Sequence, residues 1–410
     1  MEETATVLLK NLVRRKIGYG IVQPGDSKAL TIPVVKVNNL ISGLDNPEVL
    51  DKTTETISSK YSRTILRGGE LLISVVGTIG RTAIVPMCFA GCNIARAVAM
   101  IDIQDSLLAL WVKYYIDSPK GQSYIIENLN TTVQPTLNIK DLESLPVPIY
   151  EREELERRVR ILQSLDSKIA LNNRINHNLE EQAQALYKSW FVDFEPFKGG
   201  KFVDSELGMI PLGWRVGTLS ELGDIVAGGT PSKAKPEYYT NNGIAWLTPK
   251  DLSVKCNKFT AKGETDITED GYKNSSAKLM PRGTVLFSSR APIGYISIAK
   301  GDICTNQGFK SVVPTYAGTA YVYYWLRENT GAIEAQASGS TFKEASGSLM
   351  KSFPALIPSK DVLDAFEDDI MPILKKQENL EDENGHTEQL RDLLLPRLMS
   401  GEWLFNDLTC

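Results

Sequence analysis

Two histidines, five cysteines and no Pro-Pro dipeptide are found in 410 residues, and these shortages exclude most catalytic centres. Without Pro-Pro, the D/N/S-P-P-Y/F/W motif of amino-methyltransferases is absent. Gly-Lys occurs only at Gly200-Lys201, before Phe202, so there is no P-loop, and no G-x-G-x-x-G opens a helix after a strand. Cys88, Cys92, Cys256, Cys304 and Cys410 form no C-x-x-C pair, and their scatter and odd number fit reduced thiols better than a disulfide framework. His177 and His386 lie 209 apart in long helical stretches, where they are expected as paired features of a polar helix seam rather than as zinc ligands. No apolar run nears the ~18 residues a membrane span needs. The acidic Met1-Glu2-Glu3 start has no positive n-region, so a cytoplasmic location is expected. No carboxylate pair stands out for acid–base work. The residues read as a binding module without a catalytic centre.

The length allows two domains, since single cores usually stop growing below ~250–300 residues. A net charge of −5 argues at first against a nucleic-acid partner. Its distribution does not. Residues 1–150 carry 15 Lys+Arg against 14 Asp+Glu, and residues 205–350 carry 15 against 13. The acidity sits in residues 351–410, with 6 against 13, which leaves DNA binding open for the two large segments.

What is present is a duplication with a period near 210. Leu9 and Leu12 match Leu219 and Leu222; Gly69, Ile79 and Gly80 match Gly283, Ile293 and Gly294; Pro148 matches Pro358. Each copy begins with a mixed segment of short β-branched runs, in which GELLISVVG, TVLFSS and YISIA read as strands. A helix follows (LLALWVKYYIDS, then AYVYYWLREN), and a Pro-containing stretch (LPVPIY, then FPALIPS) ends the globular part.

Each copy then becomes a long helix. Leu155, Val159, Leu162, Leu165, Ile169, Asn172, Ile175, Leu179, Ala183, Leu186 and Trp190 recur at three- and four-residue spacing. So do Leu363, Phe366, Ile370, Ile373, Gln377, Leu380, Asn384, Thr387, Arg391 and Leu394. These are coiled-coil stripes, with Asn172 and Gln377/Asn384 as register-fixing polar interruptions. Pro372 suggests a start for the regular part of the second helix, and Gly385 leaves its continuity open. Asp364, Glu367, Asp368 and Asp369 read as a solvated or partner-docking face, and Trp190, Phe191 and Phe194 as a helix-to-domain junction. The expected fold is α+β: two similar α/β domains separated by two long antiparallel helices, a dumbbell with pseudo-two-fold symmetry.

This arrangement resembles the specificity subunit of type I restriction–modification systems. SKIALNNRINHNLEEQAQALYKSWFVDFEPF (167–197), LGMIPLGWRVGTLSEL (207–222), GGTPSKAKPEYY (228–239), SRAPIGYISIA (289–299), TNQGFKSVVP (305–314) and EQLRDLLLPRLMSGE (388–402) carry the resemblance. In the first copy GYGIVQPG stands where GGTPS would be. The resemblance implies target recognition domains at 1–150 and 197–358, conserved helices at 151–196 and 359–400, and a tail at 401–410. It implies a non-catalytic subunit that reads a bipartite double-stranded DNA site with an unspecified gap. Two methylation subunits would methylate adenine, and restriction subunits would cleave. S-adenosylmethionine, ATP and Mg2+ belong on those partners, with no metal or cofactor in this chain and no membrane. In the family the stretch EEQAQALYKS varies in repeat number, so four residues inserted after Gln184 are expected to lengthen the gap.

DNA contacts are expected from basic, amide and hydroxyl side chains on loops. Lys36 and Asn38 follow the strand-like TIPVV, and Lys36 is matched to Lys250 after IAWLTP. Thr78 and Arg81 lie in GTIGR; Arg96 occupies the block equivalent to Asn306, Gln307 and Lys310; Ser289 and Arg290 open SRAPIG. Thr230 lies in GGTPS, and Thr132, Gln134, Ser340, Thr341 and Lys343 lie in polar loops before the Pro-rich exits. Each also has a plainer reading as a turn cap, hairpin glycine neighbour or solvated charge. The competing functions are a coiled-coil scaffold that never touches DNA and, nearly excluded by the missing motifs, a self-contained methyltransferase.

Overall fold

The computed structural model describes residues 5–22, 30–130, 134–255, 257–290, 292–339 and 343–400. The chain divides into two compact units: unit 1 is Met1–Ile169 with His386–Cys410, and unit 2 is Ala170–Gly385. The long helices are Arg152–Phe191 and Lys360–Ser400, so each contributes a portion to each unit.

Unit 1 is built on a four-stranded antiparallel sheet in the order Arg15–Tyr19, Val98–Asp102, Leu71–Ser74, Thr82–Ile84. Leu71, Leu72, Ile73 and Ser74 are all buried, as a strand covered on both faces requires. Helix Ser106–Asp117 covers one side; Asp105 caps it by accepting from the Leu107 N–H. Strand Ala5–Leu8 pairs antiparallel with Pro146–Ile149, so the two ends of the globular part meet. The core gathers Ile17, Leu71, Ile73, Trp111, Val112 and Tyr115 with Leu155, Val159, Leu162, Leu395, Leu398 and Met399 from the long helices.

Unit 2 repeats this design. Its sheet runs Gly223–Ala227, Lys310–Pro314, Val285–Ser289, Ile293–Ala299, with a fifth strand, Phe259–Thr260, parallel to the last. Helix Thr319–Gln336 takes the place of Ser106–Asp117, and Arg215–Thr218 pairs with Pro354–Ile357. The expected junction of Trp190, Phe191 and Phe194 is present: Phe191 meets Tyr321 at 4.7 Å and Phe366 at 4.8 Å, both edge-on.

In each unit the portions of the two long helices carry buried apolar stripe residues together with polar contacts. Within unit 2 the Asn172 side-chain amide donates to Asn384 Oδ1 at 2.9 Å, and Asn384 donates to Asn173 at 2.7 Å. Within unit 1 Arg391 pairs with Asp166 at 3.1 Å. Both contacts join the first helix to an antiparallel stretch of the second.

Three expectations are corrected. The second helix begins at Lys360 and runs through Pro372 and Gly385 without a break. Pro372 is tolerated because it is exposed, as is Asp368, whose carbonyl loses its N–H partner. Glu367 is not a solvated charge: its carboxylate accepts from the Ala320 N–H at 3.1 Å and caps helix Thr319–Gln336. Gly318 makes room for it, since a Cβ there would lie 2.2 Å from the carboxylate. His177 and His386 are both exposed and outside the seam.

Candidate nucleic-acid interface

The two units share a framework of backbone hydrogen bonds that fixes which residues correspond. Val75 N donates to the Ala97 carbonyl, as Ser289 N does to Gly308; Leu137 N donates to Val75, as Ala345 N does to Ser289. Ala95 N donates to Val35, as Asn306 N does to Leu247. Arg96 therefore corresponds to Gln307, Val76 to Arg290 and Thr136 to Glu344. The same register pairs Lys250 with Asn38, not with Lys36, whose counterpart is Thr248. Lys36 N donates to Asn39 Oδ1 as Thr248 N does to Asp251 Oδ2, each opening a short helix.

Glycines bring the loops together. A Cβ on Gly20 would lie 1.9 Å from the Ile94 carbonyl oxygen, and one on Gly228 would lie 2.0 Å from that of Asn306. The Gly228-Gly229 loop thus packs on the backbone of Thr305-Asn306, and the Thr230 hydroxyl reaches Gln307 Oε1.

In unit 1 a cleft of about 560 Å³ is lined by Tyr19, Val76, Arg96, Ala97, Gln134, Thr136 and Asn138. It joins Arg96, exposed in the turn before strand Val98–Asp102, with Gln134. Tyr19, Thr136 and Asn138 were missed by sequence reasoning, because nothing in their spacing marks them. Thr78 is exposed on the loop after Leu71–Ser74. Arg81 is separated from this cleft. It lines a second cavity of about 590 Å³ with Lys113, Tyr114, Asp117, Asp166 and Arg391. Those side chains are occupied with each other: Lys113 pairs with Asp117 at 2.8 Å, and Tyr114 donates to Asp166 at 2.8 Å. Burial first, and then Asp166, hold the Tyr114 hydroxyl far above its ordinary range. Lys36 is exposed and pairs with Asp51 at 2.6 Å, and Asn38 is exposed on helix Val37–Ser42.

In unit 2 Gln307 and Lys343 are exposed, and Lys250 is exposed in an ion pair with Glu264 at 3.0 Å. Arg290 and Lys310 both approach Glu344, at 3.6 and 3.2 Å. Two expected contacts are framework instead. Ser289 is fully buried and its hydroxyl donates to the Gly308 carbonyl at 3.2 Å, so it does not reach a ligand. Asn306 Oδ1 accepts from the Gly308 N–H at 2.8 Å and holds the turn that presents Gln307. Thr132, Ser340 and Thr341 lie outside the described residues.

A separate buried network ties the fifth strand to both long helices. Lys258 Nζ donates to Glu180 at 2.6 Å, Tyr324 at 2.7 Å and Gln377 at 2.9 Å. Burial lowers the Lys258 ammonium to about 8, against the pull of Glu180. Burial alone would raise the Glu180 carboxyl; Lys258, Gln377 and Arg327 hold it below the ordinary range. Among the described residues no group of three His, Cys, Asp or Glu could hold a metal ion, and no helix is long and apolar enough to cross a membrane.

Comparison with known proteins places this framework. The chain is 37% identical over 191 residues to the Type I restriction enzyme MjaIX specificity subunit of Methanocaldococcus jannaschii, a match covering 44% of each chain. It is 26% identical over 329 residues to the Type I restriction enzyme HindI specificity subunit of Haemophilus influenzae, covering 65% of this chain and 71% of that one. The first of these matches spans less than half of the relative's length. The solved S subunit of a type I restriction–modification system from M. genitalium superposes with a TM-score of 0.57 over 97% of both chains, at 13% identity, a likeness of fold. The type I restriction modification DNA specificity domain matches residues 6–181 and 211–390, most of both copies, and the chain belongs to that family.

Proposed function

We propose that the chain is the specificity subunit of a type I restriction–modification complex. It reads a bipartite double-stranded DNA site, one half-site per globular domain, and carries no catalytic step itself. One observation supports this most: the two units hold the same loops on the same hydrogen-bonded frame and fill them with different side chains. Arg96 stands for Gln307, Val76 for Arg290 and Thr136 for Glu344. Phosphate contacts set the position of a protein on a duplex, and side chains at base edges set the sequence. A constant frame with variable tips suits two readers of different half-sites. Methylation subunits would supply S-adenosylmethionine chemistry on adenine, and restriction subunits ATP and Mg2+ chemistry, in the cytoplasm.

Exchange of residues 205–350 for the equivalent segment of a relative tests this. The expected result is a change in one half-site of the methylated sequence, with the other half-site kept. Change in both halves would contradict independent reading. A purified complex with methylation subunits that shifts no DNA in a gel would favour the scaffold.

A further inference from the structure

Glu344 is an acid set among the cations of the proposed DNA face of unit 2. Its side chain is 37% exposed; Lys310 Nζ lies 3.2 Å from Oε1 and the Arg290 guanidinium 3.6 Å from Oε2. Lys310 is only 12% exposed and also reaches Ser289 Oγ at 3.5 Å, so it forms a post beneath the carboxylate. The fold does not require these charges. Arg290 and Glu344 form an antiparallel bridge that Val76 and Thr136 form in unit 1, and Lys310 faces Ala227 across its sheet as Ala99 faces Tyr19. The same backbone thus stands with Val, Ala and Thr where unit 2 has Arg, Lys and Glu.

A carboxylate facing DNA works against the phosphate charge, about one per 1.7 Å of duplex axis. It is useful there if it accepts a hydrogen bond from a base. In the major groove a G·C pair shows two acceptors on guanine, N7 and O6, followed by the cytosine N4 donor. An arginine fork beside a carboxylate offers two donors followed by an acceptor. An A·T pair alternates acceptor, donor and acceptor, which this set does not match. At 3.6 Å the Arg290–Glu344 contact is longer than a hydrogen bond, so the pair holds the two groups side by side without locking them together.

Resting on the function proposed above, we infer that Arg290 and Glu344 together read one G·C pair, with Glu344 accepting from the cytosine amino group and Lys310 positioning it. The test is selection from a random DNA library by the full-length chain with its methylation subunits. It compares wild type, Glu344→Gln, and the triple variant R290V/K310A/E344T, which copies the residues of unit 1 and leaves no buried lysine unpaired. Wild type should require G·C at one position of one half-site. Glu344→Gln should lower that preference at least about fivefold, and the triple variant should abolish it. All other positions and the second half-site should stay unchanged, and thermal melting should show both variants folded. Unaltered preference in the folded triple variant would overturn the inference. So would a gain in affinity equal for every sequence, which would make Glu344 purely electrostatic. Wild type enriching no bipartite site at all would refute the function itself, a result distinct from either.

Discussion

Arg158 offers the sharpest test of how the long helices are fastened in unit 1. Its side chain is completely buried, and the guanidinium lies 4.0 Å from the Tyr150 ring centre. It binds Glu154 one turn earlier and donates to the Leu398 carbonyl, in the last turn of the second helix. Carbonyls in that turn lack an intrahelical partner, so Arg158 serves as a cap from another element. The corresponding position of unit 2 is Phe366, reached by the matching helix starts at Leu155 N to Glu151 O and Leu363 N to Ser359 O. Arg158→Met keeps most of the apolar stem and removes the charge. The lost cap leaves a buried carbonyl, at about 1–3 kcal/mol. The lost cation over Tyr150 adds about 1–2 kcal/mol. The sum, about 2–5 kcal/mol, overlaps the cost of removing one partner of a buried ion pair. For a unit of this size that lowers the melting temperature by roughly 4–20 °C. Trp111 packs edge-on against Tyr150 at 5.5 Å, so the 19F resonance of 5-fluorotryptophan at position 111, assigned with W111F, reports this unit directly. A shift of under about 2 °C would refute the assigned role.

Other consequences follow from burial. Lys258, held near 8 in the folded chain, releases its proton before the unfolded chain does. The stability of wild type relative to K258M should therefore be flat below pH 8 and rise with pH toward the ordinary lysine range; a fall across that window, measured by urea titration, would contradict the burial. Burial pushes the Cys304 thiol up to about 12 and raises that of Cys92, whereas Cys88 is exposed. In a C256S/C410S background at pH 8, one thiol should react quickly with a thiol reagent and two only on unfolding. Pro372→Ala should raise stability by about 1–3 kcal/mol by returning an N–H to the second helix; a loss on thermal melting would mean that Pro372 relieves something not visible in its exposed setting.

The duplication was legible because hydrophobic period and turn residues recur together. GELLISVVG and TVLFSS became strands Leu71–Ser74 and Val285–Ser289, and both helix stripes pack as their spacing implies. Side-chain depth was less legible. Ser289 and Arg290 are neighbours in the sequence, yet one is sealed beneath the sheet and the other reaches solvent. Lys36 and Lys250 resemble each other by their preceding strands, but the backbone register shifts the match by two residues. Glu367 joined a run of acids on paper, whereas an opposing helix end draws it in. The insertion after Gln184 is also poorly placed. Glu180 bonds Lys258 and Tyr187 enters the core of the same unit, so four extra residues between them would tear that unit before lengthening a spacer.

The most direct test of the central claim is the host methylome, read by single-molecule sequencing with this chain present, absent, or carrying a replaced 197–358 segment. Presence should give one adenine-methylated motif of two specified parts separated by unspecified bases, removal should erase it, and replacement should rewrite one part alone. A motif that persists without the chain, or one that is continuous, would contradict the account.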